Sequence, residues 1–459
     1  MSRTSRLPAL DVLRGIAILG TLLTNIWIFT AVTGAGPVAQ GDGAGGADTG
    51  WQQMVGTALD LVTDGKWIGL LTIMFGIGME IQRQSALRRG ESWLGTYPWR
   101  AGLLVVEGLL NYIFVFEFDV LMGYGLTALA VCVVLATSPR AQKIWLAIGL
   151  TAHLAVLTVL SVPSLLATVI GEEMVNGLSA DGTATSGFEA AMDELAGLRA
   201  GSLSGTALDA IAARHHLSPL EASLLRQGYD MLDTGTQSYW AMVGSRIDSF
   251  WLGGRFEIPI MFTMGLGLFL VGAFLYRAGL FEPAGRRLRF WVMGLAFGVG
   301  LPIDVTARLF FSEVAGAFPR YLTSTFVAFG VLASVAHWYA NGRAPGLFAR
   351  GLANVGKMAL TCYIAQNAIA SLIFYDFGLG VARQLPTGWE QPATLAIYAG
   401  IATLLIVFST LWLQVIPRGP AEWLMHTAHA WILAHVHRPL ATRRQVKVAH
   451  REAGSVQRT

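Results

Sequence analysis

The chain has 459 residues, 54% of them hydrophobic and only 13% charged, where a soluble protein carries about 25% charged residues. With a mean hydropathy of +0.53, this composition excludes a soluble globular protein and points to an all-α, polytopic membrane protein. The net charge is only +3. No nucleic-acid partner is expected, and the bilayer is the expected partner.

Taking about 20 apolar residues per crossing, the sequence predicts about ten transmembrane helices. They fall near 10–32, 53–81, 98–116, 119–137, 143–170, 256–276, 290–311, 321–340, 358–376 and 393–416. The first run has no small-residue cleavage site before Trp27, so it is expected to stay as a span rather than act as a cleaved signal. Asp60, Asp64 and Lys66 interrupt the second, and the stretch 237–253 is a candidate partial span. Basic residues lie before the first span, after the second, between the fourth and fifth, and after the sixth, eighth and tenth. With ten alternating spans they all fall on one side, which places both termini in the cytoplasm.

The chain divides accordingly into a five-span bundle at 1–170, an acidic insert at 171–240, a second bundle at 241–417 and a tail at 418–459. The insert reads as a small extracytoplasmic helical unit, with Ser218-Pro-Leu-Glu221 as a helix start. Residues 420–437 read as an interfacial helix. The alternative reading of His426 and His429, a metal site on one helix face, is the weaker one, and no metal is expected. Trp27, Trp51, Trp67, Trp251 and Trp412 lie near span ends and read as interfacial anchors. Cys132 and Cys362 read as packing residues.

Ionisable and amide groups inside the spans are the candidates for chemistry. On the first span, Asp11 and Arg14 are three residues apart and can pair, and Asn25 lies about 16 Å further along. In Asp64-Gly-Lys66 a glycine between opposite charges suggests either a broken helix lining a cavity or a turn at a span end. Glu107 and Asn111 are i, i+4 neighbours, and Glu117 and Asp119 share a tight turn. There, paired carboxylates could hold a proton and supply a general base. Asp304 and Arg308 form a further i, i+4 pair, read as a salt bridge between helices or as part of a site.

Leu10-Asp-Val-Leu-Arg-Gly-Ile-Ala-Ile-Leu-Gly20 followed by Asn25 resembles the opening of YeiB-like bacterial membrane proteins, the domain of unknown function 418 family. The stretches Asp64–Gly78 and Gly108–Leu121 are similar to that family's second and third motifs. Gly356–Tyr363 with Gln366, then Arg418-Gly-Pro-Ala-Glu-Trp423, resembles its C-terminal signature; the insert at 171–240 falls outside the match. The family is in turn similar to transmembrane acyltransferases. That resemblance implies acyl-CoA as a cytosolic cosubstrate and an envelope glycan or lipid acceptor reached from the other face. It departs at Asn111, where the family often has a histidine, and at Lys357 and Cys362.

On the acyltransferase reading Arg14, with Asp11 and Lys66, would hold the donor, and Asn25 and Asn111 would orient groups. Asp119 or Glu117, with Asp64, would supply the base that Asn111 cannot. Two other readings stay open, a transporter or flippase and a non-catalytic scaffold. Acceptor, acyl length and oligomeric state are not legible.

Overall fold

A computed structural model of the chain describes residues 7–30, 50–170, 190, 191, 194, 205–217, 238–250, 257–311, 316–385 and 389–437. Among them there is no β-strand. The helices are α1 (Pro8–Thr30), α2 (Gly50–Thr63), α3 (Lys66–Arg88), α4 (Trp93–Phe114), α5 (Leu121–Leu135) and α6 (Pro139–Ile170). They continue with α7 (Gly205–Arg214), α8 (Tyr239–Ser249), α9 (Glu257–Arg277), α10 (Pro283–Phe310) and α11 (Pro319–Tyr339). The last are α12 (Leu347–Lys357), α13 (Ala359–Phe374), α14 (Val381–Gln384), α15 (Glu390–Val415) and α16 (Pro420–Ile432).

Every predicted span falls on a helix, but length and apolarity qualify fewer of them for crossing. Seven qualify: α1, the α2–α3 run, α6, α9, α10, α11 and α15. An eighth is the α12–α13 pair, bent by 89° at Met358. Helix α5 has 15 residues, a rise of about 22 Å against a hydrocarbon core of about 30 Å. Helix α4 carries Arg100, Glu107 and Asn111 within its 22 residues. Of the expected partial span at 237–253, the described residues form the 11-residue helix α8, and 237 and 251–253, with Trp251, lie outside them. The loop before α2, the helix start at Ser218–Glu221 and the tail beyond His437 lie outside the described residues.

Helix α1 is the axis of the bundle. Proline at its first position has a fixed φ suited to a helix start, and Asp11 in the first turn complements the positive end of the helix dipole. The helix is buried along most of its length, packed against α3, α11, α12, α13 and α15. Gly15 and Gly356 allow this: a methyl at either would overlap the carbonyl of Leu352 or of Asp11. The two motif glycines therefore set backbone-to-backbone contact of α1 with α12. This brings the N-terminal and C-terminal signatures together.

The tryptophan expectation needs correction at two places. Trp27 is 2% exposed in the core, and the Trp67 ring packs over Gly20. In both, helix packing outweighs the membrane interface, because glycine and small residues on α1 leave room for an indole. Trp51, by contrast, is half-exposed.

Candidate functional site

At the end of the bundle where α1 begins, α1, α3, α4, α5, α12, α13 and α16 enclose a cavity of about 430 Å³. Its mouth is basic, with Arg14, Arg100, Lys357 and Arg418. Arg14 stands 3.8 Å from Asp11, and Lys357 donates to Asn354 Oδ1 at 3.1 Å. Among the described residues no carboxylate lies within ion-pair distance of Arg100, Lys357 or Arg418.

Glu422, the acid at the mouth, is engaged elsewhere. Its carboxylate accepts from the Leu360 amide at 2.8 Å and from Thr361 Oγ1 at 2.6 Å, capping the start of α13. Lys357 and Glu422, from the two halves of the C-terminal signature, thus meet at the bend between α12 and α13. His426 and His429 of α16 complete the rim, and His429 Nε2 lies 3.1 Å from the Thr96 carbonyl of α4. Desolvation, then Arg418, His429 and Arg100, holds the His426 imidazole below its ordinary range, so it is neutral at neutral pH.

Inward the lining turns apolar, with Leu71, Phe75, Leu104, Leu121 and the rings of Tyr124 and Tyr363. Tyr124 Oη is tied to Thr72 Oγ1 at 2.8 Å and donates to the Ile68 carbonyl at 3.2 Å. Behind Leu121 sits the Phe116–Val120 turn. Asp119, 4% exposed, accepts from Asn111 Nδ2 at 2.8 Å and from the Met122 amide at 3.0 Å. The Val120 amide donates to Tyr363 Oη at 3.4 Å. Asp119 is therefore held two residues before the lining Leu121, with its carboxylate oriented by the amide that replaces the expected imidazole.

Glu117 of the same turn faces Arg246 of α8 at 3.4 Å. Burial pushes its carboxyl up and the Arg246 guanidinium opposes the shift. Beyond the turn, Phe29, Phe116, Phe374 and Tyr375 pack ring on ring, with centroids of Phe29 and Phe116 5.1 Å apart, and close the far end.

The second charged group lies at the α2–α3 break. Gly65 there has φ +76°, and a methyl would overlap the Arg320 carbonyl. Arg308 bridges Asp64 at 2.8 Å and Asp304 at 3.2 Å, Arg320 holds Asp64 at 3.0 Å, and Lys66 holds Asp304 at 2.7 Å. Ser324 Oγ donates to the Asp64 carbonyl at 2.7 Å, so the break itself is pinned.

The structure thus joins Asp11 with Arg14, Asn111 with Asp119, and Asp64 with Lys66 through Asp304 and Arg308. It does not bring Lys66 or Asp64 to the cavity. Asn25 is 9% exposed and does not line it either. Sequence reasoning missed Arg100, Arg418, His426 and His429 as one rim. The signal available was that Lys357, Arg418 and Glu422 sit in one signature.

Residues 275–432 match the family model described as protein of unknown function (DUF418). The uncharacterized protein YxaH of Bacillus subtilis is 24% identical over 92% of this chain and 94% of its own length. The uncharacterized protein YeiB of Escherichia coli is 27% identical over 90% of this chain and 94% of its own. No solved structure matches. The matched region spans α10 to α16 and so includes Lys357, Arg418, Glu422, His426 and His429.

Proposed function

The chain belongs to the YeiB-like DUF418 family of multi-pass membrane proteins, and from that premise we propose that it moves an acyl group from cytosolic acyl-CoA to an envelope glycan or lipid. One observation carries the reading: a cavity with a basic, carboxylate-poor mouth and an apolar inner end walled by Leu121, two residues past the buried Asp119. A donor built of a phosphorylated nucleotide and an apolar acyl-bearing arm has that polarity. Arg14, Arg100, Lys357 and Arg418 suit its phosphates, and the Tyr124–Tyr363 end suits the acyl group.

In this scheme an acceptor hydroxyl attacks the thioester carbonyl. The new C–O bond forms, the C–S bond breaks, and Asp119 passes the hydroxyl proton to the departing thiolate. Asn111 fixes the orientation of Asp119, and Glu117 is a positioning neighbour held by Arg246.

In this reading the mouth, both termini and α16 lie on the cytoplasmic side of a bacterial inner membrane, which the distribution of basic loops supports. With the α4–α5 hairpin and the α12–α13 pair counted as crossings, the helices make up ten spans. A transporter or flippase is the second reading, favoured by the 89° break between two half-helices beside the cavity.

Incubating the purified protein in nanodiscs with labelled acetyl-CoA and an envelope extract tests the proposal. Thiol release with transfer of label is expected, and Asp119→Asn is expected to lower it by about 10²–10⁴-fold while CoA still binds. Absence of CoA binding, or full activity in that variant, would overturn this assignment.

A further inference from the structure

The α13 stripe beyond Tyr363 holds the densest set of unpartnered polar atoms in the described residues. Both amide atoms of Gln366, both of Asn367 and the Oδ1 of Asn111 are buried without a hydrogen-bond partner among the described residues. Gln366 and Asn367 are each 0% exposed and Asn111 is 3% exposed. Their place is fixed from both sides. Tyr363 Oη meets the Val120 amide at 3.4 Å, and Ser371 Oγ meets the Val115 carbonyl at 3.3 Å. Residue 367 is four from each, so Asn367 stands on the same helix face, opposite the turn that carries Asp119. The Asn111 amide already holds Asp119 with its nitrogen, and its oxygen is the atom left without a partner.

A buried amide left without partners is destabilising, and an apolar residue of the same size in its place would be neutral or stabilising. Two adjacent residues bearing such groups, on a helix packed against the segment that follows a third, are the mark of a surface shaped for a ligand. The chemistry of that ligand follows from the groups. Carboxamides are neutral and offer donors and acceptors in equal measure, which matches hydroxyls on both counts and supplies no opposite charge to compensate a buried ammonium or carboxylate. The stripe also continues directly from Tyr363, which lines the cavity.

We propose that Gln366, Asn367 and Asn111 Oδ1 form a subsite for a neutral, hydroxyl-rich acceptor such as a sugar, presenting one hydroxyl to Asp119. The role of acceptor rests on the acyl-transfer reading; the preference for a neutral polyol rests on the amides alone. Opening of the Phe29–Phe116–Phe374 side then admits the acceptor, from the end opposite the donor mouth.

The test compares wild type with Gln366→Met, Asn367→Leu and the double variant, all in nanodiscs, by thermal unfolding. The probes are methyl α-glucopyranoside, glucosamine and gluconate, with labelled acetyl-CoA binding measured separately. The double variant is expected to unfold at the wild-type temperature or above it. The glucoside is expected to raise the unfolding temperature of wild type alone, with glucosamine and gluconate giving smaller shifts. A double variant that unfolds well below wild type makes the amides structural and overturns the proposal. So does a wild-type protein that ignores the glucoside or prefers a charged probe. A glucoside shift in a protein that neither binds nor cleaves acetyl-CoA upholds the subsite while removing the acyl-transfer reading.

Discussion

The cavity mouth and the α2–α3 break are built from the same residue types and behave as opposites. At the break, Asp64 and Asp304 are matched by Lys66, Arg308 and Arg320, and Ser324 and Thr323 add hydrogen bonds to the Asp64 carbonyl and to Asp304. At the mouth, Arg100, Lys357 and Arg418 have no carboxylate at ion-pair distance among the described residues, and Glu422 is turned into a helix cap. A charge inside a membrane protein points to function by default. The comparison shows what refines that default: a saturated cluster holds a fold together, and an unsaturated one holds something else.

Breaking the saturated cluster should have the largest effect. Asp304→Ala leaves Lys66 and Arg308 without their shared carboxylate and should reduce stability by about 3–5 kcal/mol in nanodisc unfolding. The paired change Lys66→Met with Asp304→Leu should recover most of that loss. An unaltered unfolding temperature in Asp304→Ala would erase the distinction between the two regions.

Next in size is the joint between the signatures. Gly356→Ala drives a methyl into the Asp11 carbonyl and should lower stability by about 1–3 kcal/mol. Arg14 would move with α1, so CoA binding should weaken in the same variant. Binding that stays intact would detach the mouth from this contact.

The unsaturated mouth should respond in affinity rather than stability. Arg418→Ala and Arg100→Ala should each weaken CoA binding by roughly tenfold, about 1.4 kcal/mol, with unfolding unchanged. Added salt should weaken wild-type binding more than binding by either variant.

The smallest effect concerns pH. The His426 imidazole is held below its ordinary value, about 6.5. Protonation adds a positive charge to the rim, so CoA should bind more tightly as pH falls through that depressed value. The gain should vanish in His426→Asn; persistence there would move the titration to another group.

Helix positions were legible because apolar runs of the right length leave few alternatives. The pairing of Asp304 with Arg308 was legible too, since i, i+4 spacing places both on one face. The partner of Lys66 was not. Sequence places Asp64 two residues away, yet the lysine reaches Asp304, 238 residues on, because the helix turn at Gly65 sends neighbouring side chains apart. The capping of α13 by Glu422 was hidden likewise, since it depends on a chain reversal between α15 and α16. Crossing number is read poorly where a helix is short, as α5 is, or polar, as α4 is. Asn111 was read as the loss of a base. The structure makes it the arm that orients Asp119.

The ring-on-ring packing of Phe29, Phe116, Phe374 and Tyr375 has an electrical consequence. A water-accessible cavity is conducting compared with lipid, so a membrane potential falls mainly across whatever dry layer remains. On the proposed topology that layer would be the aromatic packing and the turn beside it. About 2.3 kcal/mol per unit charge for each 100 mV would then be concentrated over the few residues around Asp119. A proton moving between that carboxylate and the far face would cross most of the field in one step.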